Sequence, residues 1–464
     1  MKYIGIDMGS TFTKAVLLDL DRGAVLSHNS RPSPQRLASK PLLHYEVPAA
    51  ILVENVKALI DGFAAEYDDI AGLVLSTQMH GFIYSVPGRE DVYISWQDMR
   101  CTEQMPGRGE SYLAWLQTQI TPGDMADHGV YLKPALAMCN LYTLLHQEPS
   151  LPADGRLYTL GSYVIRALTG NNICHAGNAA PLGLLDVRHH RWDRALAERL
   201  GLGQIELPAL AESDYLCCGE YVSGNNRIRV FPDYGDTQVS ALGSELRDRD
   251  VFINLGTGAQ VIRFTKTFDV GEYEIRPYFE HTYLNTISNM PGGRNLNVLI
   301  RFLRDAAAEI TGTNVSEADV WAHIAPAPDA QLRVQTGFYQ NPFFPDGGAI
   351  TGITQNNLDL HTLFAAAYRD MAETYWRFIH ELGGSAEEIG RVVCGGGVSW
   401  KNPDLVRTIA SVTGRPTVLS PIREEVLNGL YQISMVCAGR SAGLFRDKPD
   451  TVRCGDQEKG VKAC

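Results

Sequence analysis

One carboxylate in this sequence, Asp236, stands where a general base could act. It belongs to the segment Asp-Tyr-Gly-Asp-Thr-Gln at residues 233–238, and the apolar residues 239–242 that follow predict a helix. Phosphoryl transfer depends on positioning more than on covalent chemistry, and it needs a carboxylate near the attacking hydroxyl. A helix N-cap is the plainer interpretation, because Asp is common at that position for structural reasons.

Three glycine-containing turns could hold phosphates or a nucleotide ring. Asp-Met-Gly-Ser-Thr at residues 7–11, with Lys14 nearby, places a carboxylate beside small donors and suits a hydrated Mg²⁺ and phosphate oxygens. Asn-Leu-Gly-Thr-Gly at residues 254–258 offers backbone N–H groups from another side, and Cys-Gly-Gly-Gly-Val-Ser at residues 394–399 leaves room for a flat ring such as adenine. Each could also be an ordinary tight turn. The sequence has no GxxxxGK[ST] pattern, and no GxGxxG follows the first strand, which disfavours P-loop and Rossmann sites.

Two further segments carry groups that bind polyols. Gln-Met-His-Gly at residues 78–81 follows an apolar run, at the point where α/β proteins place ligands, although a lone histidine is more often a core residue. Trp-Gln-Asp-Met-Arg at residues 96–100 combines an aromatic face, an amide, a carboxylate and a guanidinium, and sugar hydroxyls both donate to and accept from such groups. A surface ion pair between Asp98 and Arg100 is the alternative, but it leaves Trp96 and Gln97 unexplained.

The elements that must position these segments alternate between strands and helices, which indicates an α/β protein. Apolar runs predict strands at residues 3–6, 14–20, 70–76, 250–255, 259–265, 389–393 and 417–419. Helical spacing predicts helices at residues 50–67, 111–116, 136–146, 161–168, 363–382, 403–412 and 424–438. Residues 253–258 repeat the strand-turn-strand pattern of residues 6–11 at an offset of 253 − 6 = 247 residues, which suggests two domains of one ancestral design. We place the boundaries at residues 1–244, 245–447 and a loose tail at 448–464.

Composition limits the possible partners. A chain of 464 residues is long enough for two domains. Its net charge of −12 and the lack of a basic run argue against nucleic-acid binding. Nine irregularly spaced cysteines favour reduced thiols over a disulfide framework or a zinc site. We read no signal peptide and no apolar window long enough to span a membrane, and we expect a cytoplasmic protein.

Taken together, these segments resemble the FGGY carbohydrate kinases of the actin, Hsp70 and hexokinase superfamily. The family's order is kept from Tyr3 to about Gly443: a DxGST-type loop, QMHG, WQDxR, GDxQ, NxGT and GGG. The resemblance implies an α/β fold of two RNase H-like, actin-like ATPase domains flanking a central cleft. It also implies that the first domain holds mainly the sugar and the second mainly ATP.

The resemblance assigns a role to each matching position. It implies that Asp236 is the catalytic base and that Asp7 organises Mg²⁺. Phosphate-binding and adenosine-binding positions are Gly9, Ser10, Thr11, Lys14, Gly256, Thr257, Gly396 and Gly397. Sugar-facing positions are Met79, His80, Trp96, Asp98, Arg100 and Thr237.

Within the family the chain is most similar to sedoheptulokinases. The features are residues 96–101, 274–279, 291–294 and 346–353, while xylulokinases share the QMHG segment. Phe-Phe-Pro at residues 343–345 replaces a GERxP-like stretch, and Asn-Gly-Leu at 428–430 replaces a small GA pair. We therefore expect transfer of the γ-phosphoryl of ATP to the terminal primary hydroxyl of a ketose, sedoheptulose first and a pentulose such as xylulose second, by a monomer or homodimer. A catalytically silent sugar sensor and a nucleotide-switch scaffold are the alternatives from other classes.

Overall fold

Two six-stranded sheets form the framework of the part of the chain that is described, in a computed structural model of residues 1–329, 331–341, 343–445 and 452. The first sheet has the order β13-β14-β5-β1-β2-β3, and the second has the order β17-β18-β16-β15-β21-β22. Helices lie on both sheets. No helix in these ranges combines the length and the apolar character that crossing a membrane requires.

The first half of the chain runs up to the helix that begins at Asp236. Its strands are β1 (Lys2–Met8), β2 (Phe12–Asp19), β3 (Ala24–Pro32), β4 (Glu46–Pro48), β5 (Ile70–Thr77), β6 (Phe82–Ser85), β7 (Val92–Ile94), β8 (Arg156–Tyr158), β9 (Ile173–Cys174), β10 (Leu185–Asp186), β11 (Arg191–Trp192), β12 (Ala209–Leu210), β13 (Gly219–Ser223) and β14 (Asn226–Gly235). Its α-helices are α1 (Ala49–Glu66), α2 (Tyr112–Gln119), α3 (Ala137–Gln147), α4 (Leu160–Thr169), α5 (Ala176–Ala179), α6 (Arg194–Arg199) and α7 (Asp236–Gly243).

The second half repeats the alternation with fewer strands. Its strands are β15 (Val251–Leu255), β16 (Ala259–Thr265), β17 (Glu274–Pro277), β18 (Tyr283–Met290), β19 (Arg333–Gln335), β20 (Ala349–Thr351), β21 (Val392–Gly395) and β22 (Thr417–Leu419). Its α-helices are α8 (Gly293–Thr311), α9 (Glu317–His323), α10 (Leu360–Glu381), α11 (Gly397–Lys401), α12 (Pro403–Thr413) and α13 (Glu425–Cys437).

Five strands of each sheet share one topology, which agrees with the repeat seen in the sequence, and the sixth strands, β13 and β17, lie at opposite edges. In the first, β1 pairs antiparallel with β2 and parallel with β5, β3 adds antiparallel to β2, and β14 adds parallel to β5. In the second, β15 pairs antiparallel with β16 and parallel with β21, β18 adds antiparallel to β16, and β22 adds parallel to β21. The fold is therefore α/β with two actin-like ATPase domains.

Sequence signals locate several element ends well. Helix α4 begins after Thr159, whose hydroxyl accepts the backbone N–H of Ser162 in a capping box, and it ends at Gly170 with φ 89°. The predicted strands at residues 259–265 and 417–419 match β16 and β22. The strand predicted at residues 389–393 is shifted, because β21 begins only at Val392.

Helices α7 and α13 lie between the two sheets. The apolar core that these helices form with both sheets includes Val74 of β5, Val239 of α7, Phe252 of β15, Val393 of β21 and Leu430 of α13, each of them at most 2% exposed. Removing such side chains from water favours the packed state, so this shared core joins the two domains.

The predicted boundary between residues 244 and 245 stays a prediction; it falls between α7 and β15. Apart from Val452, the tail predicted at residues 448–464 lies outside the described residues. Seven cysteines in the described ranges are free thiols.

Candidate active site

Two acidic residues lie where three parallel strands of the first sheet end. Strands β1, β5 and β14 run in the same direction, so their carboxyl ends share one edge. Asp7 is near the end of β1, and its Oδ1 accepts a hydrogen bond from Ser76 Oγ of β5 at 3.1 Å. Asp236 is the first residue of α7, and its Oδ1 accepts from the backbone N–H of Thr237 at 2.7 Å. Asp236 is therefore not the N-cap, which is Gly235.

The environment of both carboxylates disfavours their charge. Burial and the negative charge of Asp236 raise the pKa of Asp7 to about 6. Burial also raises the pKa of Asp236, although the Thr237 N–H and the positive charge of Arg276 oppose this shift. A hard divalent cation prefers oxygen ligands, and carboxylates at the strand ends offer them. The residues present thus fit Mg²⁺.

The predicted first phosphate loop is the β1–β2 turn. Gly9 N–H donates to Phe12 O at 3.0 Å, which closes the turn and leaves Ser10 and Thr11 exposed. Lys14 is also partly exposed, and its Nζ lies 3.9 Å from Glu424 Oε1 of the second half of the chain. This loop therefore faces residues from the opposite domain.

The predicted second phosphate loop is the β15–β16 turn. Gly256 N–H donates to Gly258 O at 3.1 Å, and Thr257 is exposed at the tip. The backbone N–H groups of Gly293 and Arg294, at the start of α8, donate to Gly256 O and Thr257 O at 3.0 Å each. These bonds hold the loop in a fixed position.

The glycine turn at residues 395–397 packs directly on the second loop. Gly396 has φ 78°, and a Cβ there would lie 2.6 Å from Leu255 O. Its N–H donates to Glu425 Oε1 at 2.9 Å. A Cβ at Gly397, in contrast, would have no neighbour within 4 Å. Gly396 is therefore required by local sterics, as is Gly395, where a Cβ would lie 2.6 Å from Phe252 Cε2, while Gly397 borders open space.

Substituting this pair gives a matched test of the turn. We expect Gly396→Ala to lower the free energy of unfolding by about 1–3 kcal/mol or more, because it combines a left-handed backbone with a backbone clash. Gly397→Ala should change it by less than about 0.5 kcal/mol. Urea denaturation of both variants checks the pair, and equal stabilities would contradict this geometry.

Three of the predicted sugar-facing residues come together beside Asp236. Met79 and His80 follow β5, and Thr237 follows Asp236. Met79 Sδ borders Gly235, where a Cβ would lie 2.9 Å from it. His80 has φ 68°, an uncommon backbone for a residue with a side chain. Burial and the charges of Lys133 and Arg276 hold the pKa of His80 well below its usual range, so the imidazole is neutral.

Four residues that the sequence interpretation did not single out as site residues complete this region. Arg276 on β17 donates from Nη1 to Thr237 Oγ1 at 3.3 Å and from Nη2 to Glu274 Oε2 at 2.9 Å. Lys133, from the first domain, pairs with the same Glu274. Gln238 Nε2 donates to Pro277 O at 3.2 Å, also across the domains. The quoted segments 233–238 and 274–279 contained three of these residues, but only the structure shows that they meet.

The other three amino acids that were predicted to face the sugar are Trp96, Asp98 and Arg100, and their surroundings differ from those of Met79, His80 and Thr237. Arg100 donates to Asp98 from Nε at 2.8 Å and Nη2 at 2.8 Å, and also to Glu46 Oε1 at 2.7 Å. Asp98 Oδ2 accepts the Tyr45 N–H at 2.7 Å as well, and all three charged side chains are at most 1% exposed. The ion pair is thus buried, not on the surface. A sugar-binding role for Asp98 and Arg100 stays a prediction, with this structural network as its competitor, while Trp96 is 44% exposed.

Comparisons with known proteins agree with this geometry. The profile of the FGGY family of carbohydrate kinases, N-terminal domain, matches residues 2–243. The xylulose kinase of Klebsiella pneumoniae is 25% identical over 283 residues, which cover 57% of this chain and 55% of that protein, so the match spans about half of the curated relative.

Two solved structures have the same fold. A ligand-bound xylulose kinase from Lactobacillus acidophilus superposes with a TM-score of 0.78 at 18% identity, covering 96% of this chain and 90% of the other. Plasmodium falciparum glycerol kinase with ADP gives 0.79 at 16% identity over the same shares of 96% and 90%. Since the family profile covers more than half of the residues, this chain belongs to the FGGY family of carbohydrate kinases.

Proposed function

We propose that this protein transfers the γ-phosphoryl group of ATP to the terminal primary hydroxyl of a ketose, with Asp236 as general base. The observation that carries the proposal is the pair formed by Asp7 and Asp236. Each lies at the end of a strand of the first sheet and each has a raised pKa, while Lys14, on the strand that follows Asp7, reaches Glu424 of the other domain. Such a site suits positioning and charge stabilisation, which phosphoryl transfer requires.

Asp236 would receive the proton of the attacking hydroxyl. Its Oδ1 is fixed by the Thr237 N–H, which leaves Oδ2 without a protein hydrogen bond among the described residues. The sugar oxygen forms a bond to the γ-phosphorus as the bond from that phosphorus to the β,γ-bridging oxygen breaks, and ADP leaves with that oxygen. A raised carboxylate pKa makes proton acceptance more favourable once the group is ionised.

Asp7 would hold the metal that accompanies the nucleotide. Bound Mg²⁺ would neutralise the charge of the β- and γ-phosphates. The hydrogen bond from Ser76 fixes the orientation of the Asp7 carboxylate. Lys14 and the backbone N–H groups of the two loops supply further donors for the phosphates.

Nucleotide recognition is assigned to the turns of the second domain. The exposed Thr257 tip and the open space at Gly397 leave room for phosphates and a purine. The Plasmodium falciparum glycerol kinase of the same fold carries ADP, which supports ATP as the donor here. Domain closure would exclude water and limit wasteful ATP hydrolysis.

Two acceptors have separate support. Sedoheptulose is favoured by the resemblance of residues 274–279 to sedoheptulokinases. The polar groups of Lys133, Glu274 and Arg276 around His80 add partners for hydroxyls of a longer sugar. Xylulose is favoured by the names of the relatives from Klebsiella pneumoniae and Escherichia coli. Cytoplasmic location and a monomeric or homodimeric state stay predictions.

An ATP-coupled screen tests the proposal. Purified protein with Mg²⁺ and ATP should phosphorylate at least one of sedoheptulose, xylulose and ribulose in preference to fructose and glycerol. Higher kcat/KM on sedoheptulose than on xylulose would support the longer sugar. Nucleotide binding without transfer to any of the five would favour the sensor or scaffold alternatives and contradict the kinase proposal.

A further inference from the structure

Tyr93 has a buried hydroxyl that no described residue satisfies. It lies on β7, paired with Ile83 of β6, and is 2% exposed. The ring belongs to the core of the first domain, among residues such as Ile6 and Leu75. Its Oη has no hydrogen-bond partner within the described part of the chain. Phenylalanine would fill the same space without leaving a polar atom unpaired.

The Tyr93 hydroxyl lies at the edge of this core, against the backbone of Gly81, in the segment predicted to face the sugar. A Cβ at Gly81 would overlap Tyr93 Oη and the adjoining ring carbon, so the phenol reaches this spot only because residue 81 is glycine. Gly81 directly follows His80, whose left-handed backbone turns the chain at this point. The Tyr93 hydroxyl is thus placed beside the segment that also presents Met79 and His80.

The charge of Asp236 reaches the same hydroxyl. After burial, the negative charge of Asp236 is the second cause that raises the pKa of Tyr93, so the phenol stays protonated and is a donor. Two other buried atoms in this region also lack partners, His80 Nδ1 and Gln238 Oε1. A buried polar atom without a partner costs free energy, so the unpaired Tyr93 hydroxyl beside Gly81 suits a ligand that can accept its hydrogen bond.

We propose that Tyr93 binds the substrate: its hydroxyl donates a hydrogen bond to the secondary hydroxyl next to the one that Asp236 deprotonates. This inference rests on the proposed kinase function. In this role Tyr93 orients the reacting end of the sugar. A hydrogen bond to the hydroxyl of the adjacent carbon limits how the sugar can rotate and so positions the terminal CH₂OH group.

The variant Tyr93→Phe removes only the hydroxyl. We expect kcat/KM for the ketose to fall about 10- to 100-fold, because a site built to bond a hydroxyl loses that bond, while KM for ATP stays unchanged. Thermal stability of the sugar-free protein should stay equal or rise, since an unpaired buried group is removed. A purely structural tyrosine would behave in the opposite way, with lower stability and unchanged kcat/KM.

Tyr84→Phe is the matched control on the neighbouring strand. The Tyr84 hydroxyl donates to Pro152 O at 2.6 Å and accepts from Gly155 N–H at 2.9 Å. Its loss should lower the melting temperature and leave kcat/KM for the ketose near that of the unchanged protein. The two phenylalanine variants are thus expected to differ in the sign of their stability effect.

A deoxy substrate and a binding measurement separate this inference from the kinase proposal. The ketose lacking the hydroxyl next to the reacting one should be turned over equally by the unchanged protein and by Tyr93→Phe. Calorimetric titration of ketose without ATP should show weaker binding to the variant. Turnover by the unchanged protein with equal ketose affinity in the variant would overturn the role of Tyr93 alone. An unchanged protein that neither binds nor phosphorylates any ketose would overturn both proposals.

Discussion

Replacing Asp236 by asparagine is expected to lower kcat about 100- to 10,000-fold, the range associated with loss of a positioned proton acceptor. The amide has nearly the same shape as the carboxylate, and its oxygen can still accept the Thr237 N–H bond now seen at 2.7 Å. It cannot take a proton from the sugar. Steady-state kinetics with the preferred ketose measure the loss, and titration with ADP should show nearly unchanged nucleotide affinity.

Asp233→Asn is the control for this substitution. Asp233 is another buried carboxylate of the same segment, but it accepts bonds from Thr159 Oγ1 at 2.7 Å and the His175 N–H at 2.8 Å. This variant should lose stability and keep most of its activity per folded molecule. If Asp236→Asn retained turnover, Asp236 would not be the base.

Replacing Arg100 by methionine is expected to destabilise the protein by about 3–5 kcal/mol, because it leaves the buried Asp98 carboxylate without its cationic partner. Glu46 would keep its ion pair with Lys40 at 2.8 Å. The guanidinium contacts both Asp98 and Glu46, and none of the three charged side chains is more than 1% exposed. Urea denaturation would show the loss as a lower midpoint. If Arg100 acted mainly on the sugar, stability would change by less than about 1 kcal/mol and KM for the ketose would rise instead.

Arg108→Met supplies the comparison for this experiment. Arg108 pairs with Glu110 at 3.7 Å on the surface, where its side chain is 46% exposed, and its guanidinium also lies 4.0 Å from the centre of the Trp115 ring, an exposed contact worth about 0.5–1 kcal/mol. Surface pairs of this kind contribute about 0–1 kcal/mol. A similar midpoint for Arg108→Met and Arg100→Met would contradict the structural role given to the buried network.

Local patterns in the sequence predicted the framework well. The β1–β2 and β15–β16 hairpins each consist of two apolar strands around a small polar turn, and the two strands of each hairpin are neighbours in the sequence. Longer helices such as α10 and α12 have clear apolar periodicity. The position of Asp7 at a strand end followed from the same patterns, since ligands in α/β proteins lie at the carboxyl ends of strands. Strand β14, which precedes Asp236, was not predicted.

Contacts between distant segments explain what the sequence did not predict. Strands β4, β6, β7 and β8 form a small sheet, but each has only three or four residues and little periodicity. Arg276 reaches Thr237 from 39 residues away. The pattern at residues 96–100 indicated a possible ion pair between Asp98 and Arg100. The second carboxylate that Arg100 contacts, that of Glu46, is 54 residues away in the sequence. Tyr93 likewise became a candidate only when its hydroxyl was placed at Gly81.

Analysis of the reaction product tests the central proposal most directly. Phosphorus NMR of a reaction containing the protein, Mg²⁺, ATP and sedoheptulose or xylulose should show ADP and one new phosphate monoester. That phosphorus signal should be a triplet, because the phosphate is attached to a CH₂ group. A phosphorus–proton correlation spectrum should assign this CH₂ to the end of the sugar remote from the carbonyl carbon and not to C1. A signal from inorganic phosphate alone, or a monoester on a secondary carbon, would contradict transfer to the terminal primary hydroxyl.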